Sequence, residues 1–397
     1  MNNETTHGID PTSIVEALIA QCRESDYAGY DPFDGLNSRL FQCSGLGRLR
    51  FASIAWLQLH KRSPLNLRGL VGVPRRRNPK GVALVILGLL ERERRMNDGE
   101  SLREAVTLGE WLLDHCVDRS TWTHYAWGYH FDWAARAFFV PQGTPNAITT
   151  CYAARALHAL GHATTQKHFT DAAIDAGFFL DSLYLGDSQA GYYAYIPGES
   201  AFVHNANLWA AALVSETARH TGDAGLARRA LIAAGQSVSM QRADGAWLYG
   251  LRAHHGFIDG FHTGYNLEAL RFLQTALQTT QFSAAIERGL AYYRDTFFLH
   301  DGTVKYYHDR TWPLDTHSVA QALITLLTVG DTQDDRHLAT RVLDRAVETL
   351  YLPVKRRFIY QRRQLFSNRI NYLRWTQAWA FYAIGVYANR IGGSAHA

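Results

Sequence analysis

The 397-residue chain has little charge, little proline and no long apolar run, and each shortage excludes a class of protein. Charged residues are 19% of the chain, below the ~25% usual in soluble domains. Hydrophobic residues are 47%, enough apolar surface to exclude a disordered chain. The 10 prolines and 32 glycines follow no period, which excludes a collagen-like chain. The longest apolar run, Gly81 to Leu90, is too short for a bilayer span of ~20 residues.

Several enzyme motifs are also missing. None of the four cysteines belongs to a C-x-x-C pair, and no H-E-x-x-H is present. The sequence therefore predicts free thiols and no metal site. The Gly-Leu-Gly at 45–47 is not a complete G-x-G-x-x-G, and no G-x-S-x-G occurs. These absences disfavour a nucleotide cofactor and a serine hydrolase, and we predict no cofactor.

The charge balance and the N-terminus indicate which partners and which cellular compartment to expect. Lys and Arg total 40 against 36 Asp and Glu, a formal net charge of +4. This weak bias does not predict a nucleic-acid partner, although it is compatible with an acidic glycan. The first ten residues, MNNETTHGID, lack the basic and apolar regions of a secretory signal. We expect a cytoplasmic protein.

What the chain does contain is a weak repeat of roughly 50 to 70 residues. Each unit is an amphipathic helix, a long loop and a second helix that is apolar almost all round, as buried helices are. The second helices begin near Asn78, Asn146, His204, His262, Asp315 and Asn371. Six such pairs predict an all-α fold, an (α/α)6 toroid of six inner and six outer helices. A linear solenoid, the alternative, would expose the apolar helices.

The connections between helices predict which face of the ring is functional. Loops that lead into inner helices are long and aromatic, and the returning loops are short and polar. We predict short β-hairpins in the long loops, all on one face, where loops of this length are usually functional. The predicted organisation is an N-terminal segment at 1–46 that packs on the toroid, the toroid at 47–391, and a disordered tail at 392–397.

Unusual polar residues collect in the long loops and at the inner-helix starts, where packing alone does not require them. The predicted catalytic residues are His262, His317, Asp259, Asp315, His204 and Arg374. The predicted substrate-binding residues are His130, Asp132, Asn146, Asn205, Asn207, Trp127, Trp247, Asn266, Glu268, Tyr307, Trp312, Tyr372, Trp375 and Gln377. Helix N-capping explains Asp315 and Asn146 equally well.

These residue types support three functions. Histidines that move a proton, with Arg or Asn neutralising a carboxylate, predict proton abstraction next to a uronate, as in an epimerase or lyase. Paired Asp and Glu side chains predict glycoside hydrolysis. A non-catalytic glycan-binding subunit is the third possibility. We favour the first, with an oligosaccharide as the ligand.

A series of strings in order along almost the whole chain points to a family. They include GYDPFDGLNS at 29–38, KRSPLNLRGLVGVP at 61–74, NPKGVAL at 78–84, VHNANLWAAAL at 203–213, IDGFHTGYNLEAL at 258–270, PLDTHSVAQALITL at 313–326 and YLRWTQAW at 372–379. The set resembles the VpsJ-like proteins of surface-polysaccharide biosynthesis. The resemblance implies an α-toroid akin to six-hairpin glycosidases and polysaccharide lyases. It also implies a free or lipid-linked glycan substrate and an association with membrane-bound polysaccharide-assembly machinery.

Overall fold

A computed structural model of the protein describes residues 10–134 and 139–392. The α-helices are α1 (Pro11–Glu24), α2 (Arg39–Cys43), α3 (Arg50–Arg62), α4 (Pro79–Met96), α5 (Glu100–Asp114), α6 (Ala147–Thr164), α7 (Lys167–Ser182), α8 (His204–Thr221), α9 (Ala224–Ser239), α10 (Gly260–Leu277), α11 (Ser283–Phe297), α12 (Thr316–Thr325), α13 (Gln333–Leu350) and α14 (Ala378–Gly392). A π-helical turn, Leu326–Gly330, continues α12, and another, Leu373–Gln377, precedes α14.

Six of these helices form a closed inner ring. They are α4, α6, α8, α10, α12 and α14; each packs on the next, and α14 closes the ring on α4. Around them, α5, α7, α9, α11 and α13 pack on the inner helices that precede them, and α1 packs on α14. The predicted all-α (α/α)6 toroid is therefore confirmed.

Close apolar packing holds the inner ring together. Every residue from Pro79 to Leu90 in α4 is buried, and full burial of one large apolar side chain stabilises a fold by about 1.5–3 kcal/mol. The helices α4 and α14 lie close together where the ring closes. A Cβ added at Gly88 would lie 2.4 Å from the ring of Phe381 on α14. A glycine lets these two helices approach each other.

Side-chain caps begin four of the inner helices. Asn78, Asn146, Asp259 and Asp315 each accept a hydrogen bond from a backbone N–H in the first turn of α4, α6, α10 and α12. Such caps satisfy donors that the helix itself leaves unpaired. Because each inner helix follows a long loop, these capped ends meet at one end of the ring.

The β structure is confined to short ladders in the loops. The strands are β1 (Ala28–Gly29), β2 (Arg76–Arg77), β3 (Trp133–Ala134), β4 (Phe139–Val140), β5 (Tyr184–Gly186), β6 (Gly191–Tyr193), β7 (Leu314–Asp315), β8 (Tyr351–Leu352), β9 (Arg357–Phe358), β10 (Gln361–Arg362) and β11 (Ser367–Asn368). The antiparallel pairs are β1–β2, β3–β4, β5–β6 and β8–β9, and β10 lies between β7 and β11.

The predicted hairpins are found only in part. The β5–β6 hairpin forms, with Tyr184 opposite Tyr193. In the long loop at 244–252, the chain makes only an isolated bridge, through Gly250. Gly245 takes a φ of 93° in a turn there, and Trp247, two residues later, is buried. The chain in that loop therefore turns into the core and forms no second strand.

The N-terminal segment is tied to the mouth of the ring by buried charge. Arg68 pairs with Asp34 at 2.6 Å, and Arg374, before α14, pairs with Asp31 at 2.5 Å; all four side chains are at most 4% exposed. The predicted boundary at residue 47 stays a prediction, although α1 occupies the position of the sixth outer helix. Apart from Gly392, the predicted tail lies outside the described residues.

Within the described ranges, no helix has both the length and the apolarity needed to cross a bilayer.

Candidate active site

A cavity of about 490 Å³ lies where the N-terminal segment and the long loops meet the inner-helix starts. Side chains of α3, α4, α8, α10 and α12 contribute to its wall. Aromatic residues dominate the lining, among them Tyr129, Tyr195, Tyr249, Tyr265, Tyr306 and Trp375. A concave site of this size, mostly aromatic with a few polar groups, is typical of small-molecule binding.

His262, in the first turn of α10, is held in place by the cap of its own helix. One oxygen of Asp259 accepts the backbone N–H of His262 at 2.9 Å, and the other lies 2.7 Å from the imidazole Nδ1. An ionised carboxylate only accepts hydrogen bonds, so Nδ1 carries the proton and Nε2 is the basic nitrogen. Asp259 is 2% exposed at its side chain and His262 21%. The cavity wall therefore carries an oriented, accessible base.

His317, in the first turn of α12, lines the same cavity between two aromatic rings. Its imidazole stacks on Phe261 at 4.8 Å and on Trp379 at 4.6 Å between ring centres. Its Nε2 shares a hydrogen bond with the hydroxyl of Tyr265. Burial, followed by the charges of Lys80 and Arg374, lowers the pKa of His317 well below its ordinary value. At neutral pH this imidazole is neutral.

The imidazoles of His262 and His317 both contact the ring of Phe261. The ring of Phe261 lies 4.2 Å from that of His262 and 4.8 Å from that of His317. The charge of His262 is also among the causes that lower the pKa of His317. Proton-transfer groups from two neighbouring inner helices therefore meet in one cavity.

Arg374, in the π-helical turn before α14, lines the cavity and forms an ion pair with Asp31. Its Nε and Nη2 lie 2.5 and 2.8 Å from the two oxygens of Asp31. Burial by itself would lower the pKa of Arg374, but the charge and hydrogen bonds of Asp31 outweigh burial and raise it. The fork-to-fork contact fixes the guanidinium in the wall.

Seven predicted site residues share this cavity. They are Asp259, His262, His317, Arg374, Asn205, Tyr307 and Trp375. Asn205 is 4% exposed, and its side-chain oxygen has no hydrogen-bond partner. An unpaired buried acceptor of this kind costs free energy until a ligand donates to it.

His204 and Asn207 bind the outer layer and do not line the cavity. His204 Nδ1 lies 3.1 Å from the hydroxyl of Ser237 on α9, and Asn207 donates to the same hydroxyl at 2.9 Å. Burial lowers the pKa of His204 to about 4. Both residues join α8 to α9, a structural role that the sequence pattern did not separate from catalysis.

Trp127 and Trp247, predicted to stack on sugar, lie in the core. Their indole N–H groups donate to the carbonyl oxygens of Leu112 at 2.8 Å and Ser237 at 2.9 Å. These carbonyls lie in the last turns of α5 and α9, where helices leave acceptors unpaired. Two indoles of the long loops therefore cap the C-terminal ends of the outer helices α5 and α9.

Asp315 and Asn146 are caps of α12 and α6. Asp315 is fully buried and also accepts a hydrogen bond from Gln361 on β10 at 2.8 Å. Burial raises its pKa to about 6 despite these hydrogen bonds. Asn146 accepts the backbone N–H of Thr149 at 2.8 Å. Neither residue is part of the cavity lining.

Glu268, Asn266, Gln377 and Tyr372 are buried outside the cavity. Glu268 forms an ion pair with Arg155 at 2.7 Å. Gln377 exchanges two hydrogen bonds with the backbone of β9. The structure brings none of these four to the candidate site.

His130, Asp132 and Trp312 lie in loops and do not line the cavity. His130 hydrogen-bonds to Asn78 at 3.0 Å and lines a separate, open depression of about 790 Å³. Asp132 accepts the backbone N–H of Gln142 at 2.7 Å. Trp312 packs against the main core.

The sequence reasoning missed several cavity residues: Phe33, Lys61, Arg62, Lys80, Tyr129, Tyr195, Tyr249 and Tyr265. It also missed Asp31, the partner of Arg374. The missed charged residues include Asp31 in the segment GYDPFDGLN at 29–37 and Lys80 in the Asn-Pro-Lys at 78–80. Their acidic and basic residues beside helix starts were a usable signal.

A second polar cluster lies between α6 and α8. His158, Glu216 and His220 bring potential ligand atoms within 4.8 Å of one another. Arg219, however, forms an ion pair with Glu216 and lies 2.8 Å from His220 Nε2. Because a guanidinium already neutralises Glu216, we interpret this cluster as an ion-pair network.

Comparison with known proteins agrees with the fold. No protein-family model and no curated protein matches the chain. Among solved structures, it is similar to a cellobiose 2-epimerase from Bacillus thermoamylovorans, at 9% identity over 79% of this chain and 88% of that one, with a TM-score of 0.61. It is similar to an unsaturated glucuronyl hydrolase from Bacillus sp. GL1, at 11% identity over 96% of each chain, with a TM-score of 0.62. A family GH76 α-mannanase from Bacteroides thetaiotaomicron matches at 11% identity, over 80% of this chain and 88% of that one, with a TM-score of 0.59.

The chain therefore shares its toroid with six-hairpin, carbohydrate-active enzymes, some of them epimerases and some hydrolases.

Proposed function

We propose that this protein is a carbohydrate-active enzyme that moves a proton at a sugar carbon next to a carbonyl group, as an epimerase or lyase does. The observation that carries the proposal is the pair of imidazoles, His262 and His317, in one aromatic cavity. One is oriented by a buried carboxylate and the other is kept neutral by burial. Positioned acid–base groups of this kind accelerate proton transfer by about 10²–10⁴-fold.

Each group has a role in the proposed reaction. Nε2 of His262 takes the proton from carbon, and Asp259 stabilises the imidazolium that forms. The electron pair left on carbon passes to the neighbouring carbonyl oxygen. His317, with Tyr265 on its Nε2, supplies or relays a proton to the same carbon for epimerisation. If a leaving group departs from the next carbon instead, the outcome is elimination.

The hydrolase alternative has weaker support. Inverting and retaining glycosidases need two carboxyl groups across the scissile bond. Of the described residues that line the cavity, only Asp259 carries a carboxylate, and it is bound to His262. Asp315 and Glu268, the other proposed acids, are outside the lining.

We also propose a substrate, a cellular compartment and a partner. The family strings favour an oligosaccharide of surface-polysaccharide biosynthesis, free or lipid-linked, as the substrate. We place the activity in the cytoplasm, with the membrane-bound assembly machinery as its partner. The epimerase among the structural neighbours supports the reaction class and leaves the sugar open.

Isotope exchange tests the proposal directly. The protein is incubated in deuterium oxide with a panel of neutral and uronate-containing disaccharides, and deuterium on sugar carbon is measured by NMR. We expect exchange with at least one sugar, reduced on the order of 100-fold or more in His262→Asn and His317→Asn. His204→Gln, a buried histidine outside the cavity, is the matched control. Absence of exchange across the panel, or equal exchange in all variants, would refute the proposal.

A further inference from the structure

The charge of the cavity is unbalanced. Four residues of the lining carry Lys or Arg side chains: Lys61, Arg62, Lys80 and Arg374. The only carboxylate among the described lining residues is Asp259, and it is engaged by His262. A concave site lined by one sign of charge concentrates ligands of the opposite sign.

Lys80 is the most deeply buried of these four cations. It is 3% exposed in the first turn of α4. Its Nζ lies 4.2 Å from the ring centre of Tyr152, 5.2 Å from that of Trp379 and 5.3 Å from that of Tyr265. Aromatic faces attract an ammonium group but supply no formal negative charge.

The two carboxylates whose charges affect the pKa of Lys80 each form an ion pair with an arginine. Its pKa is lowered well below the ordinary value, first by burial and then by the charge of Arg374, with Asp31 and Glu268 acting in the opposite direction. Asp31 is paired with Arg374, and Glu268 with Arg155. A buried amine without an ion-pair partner is costly to keep charged, and an anionic ligand would remove that cost.

We propose that the floor of this cavity is a carboxylate-binding subsite, in which Lys80 receives the carboxylate of a hexuronate residue. The inference rests on the proposed function and names its substrate class. Lys80 is next to Tyr265, which shares a hydrogen bond with His317. A carboxylate bound here places the adjacent ring carbon, C5 of the uronate, beside the proton-transfer groups.

The chemistry then balances without a further reactant. The C5–H bond breaks as His262 takes the proton, and the electron pair moves into the carboxylate to form an enediolate. Lys80 opposes the charge that develops there, as preorganised donors do at oxyanions. The Tyr265–His317 pair returns a proton to C5 on the opposite face, which restores the carboxylate and inverts C5. His262 then releases its proton to solvent, and the pair regains one from solvent. No oxidant or leaving group is required.

A matched pair of ligands tests the subsite. Binding of a glucuronate-containing disaccharide and of its glucose counterpart is measured by titration calorimetry. We expect the uronate to bind on the order of 100-fold more tightly. Lys80→Met should lose this preference. Lys167→Met, on a surface away from this cavity, is the control and should keep it.

The outcomes separate this inference from the proposed function. Deuterium exchange on the neutral sugar alone, with no uronate preference, refutes the carboxylate subsite and leaves the proton-transfer function standing. A Lys80-dependent uronate preference without exchange supports the subsite and refutes the proton-transfer function. Thermal unfolding of Lys80→Met shows whether it folds. If it does not, Lys80→Gln, which keeps a polar end but has no charge, replaces it in the same comparison.

Discussion

Removing the negative charge of Asp31 should destabilise the whole fold. Asp31 and Arg374 are 1% and 4% exposed at their side chains and form two hydrogen bonds, at 2.5 and 2.8 Å. Asp31→Asn keeps the shape of the side chain but leaves a buried guanidinium without its counter-charge. Breaking a buried pair from one side costs about 3–5 kcal/mol. We expect a loss of that size in the free energy of unfolding, measured by urea denaturation.

A double-mutant cycle identifies the cause of the loss. Arg374→Met should also be destabilising, and the double variant should recover much of the loss, because neither side of the pair then leaves a buried charge without its partner. Asp26→Asn is the control: it breaks the ion pair with Arg77 on the same segment, but Asp26 is 80% exposed at its side chain. Its effect should stay below about 1 kcal/mol. Additive losses in the double variant, or equal losses for Asp31 and Asp26, would show that the buried pair is not what holds this segment.

Two further predictions concern packing and pH. Gly88→Ala should destabilise by about 1–3 kcal/mol through overpacking, because its Cβ would lie 2.4 Å from a ring on α14; Gly235→Ala, with open space around it on α9, should be neutral or stabilising in the same thermal melts. Asp315 has a pKa raised by burial to about 6, above its value of ~3.9 in an unfolded chain, so its protonated form favours the folded state. The stabilisation from Asp315 should be complete below about pH 4 and lost by about pH 6, and Asp315→Asn should remove a decline of about 3 kcal/mol over that window. A pH-independent difference between that variant and the parent chain would contradict this reasoning.

The fold was predictable because its signals are local. Apolar stretches of helical length, such as the one from Gly81 to Leu90, and capping residues such as Asn78 mark where the inner helices begin. The alternation of long and short connections then determines which ends share a face. His262 and His317 followed from the same reasoning, since both occupy the first turn of an inner helix.

The rest of the site depends on contacts distant in sequence. Asp31 meets Arg374 only in the folded chain, 343 residues later, and no spacing rule connects them. Trp127 resembles a groove-lining residue in sequence because it lies in an aromatic loop. It is buried in the core, where the carbonyl of Leu112 accepts its indole N–H. In the sequence, Lys80 follows Asn-Pro and cannot be told from a solvent-exposed lysine. Its burial becomes clear only in the fold, where aromatic rings surround it.

The packing of α1 on α14 has a consequence for synthesis. Among the described helices, α1 leaves the ribosome before the others, and its apolar face, including Ile14, Leu18 and Ile19, packs on α14, which leaves after them. Until then that face lacks α14, the element on which it packs most, and part of it stays exposed while the helices between them are synthesised. At about 5–20 residues per second, that interval lasts tens of seconds, the window in which a chaperone would act on α1.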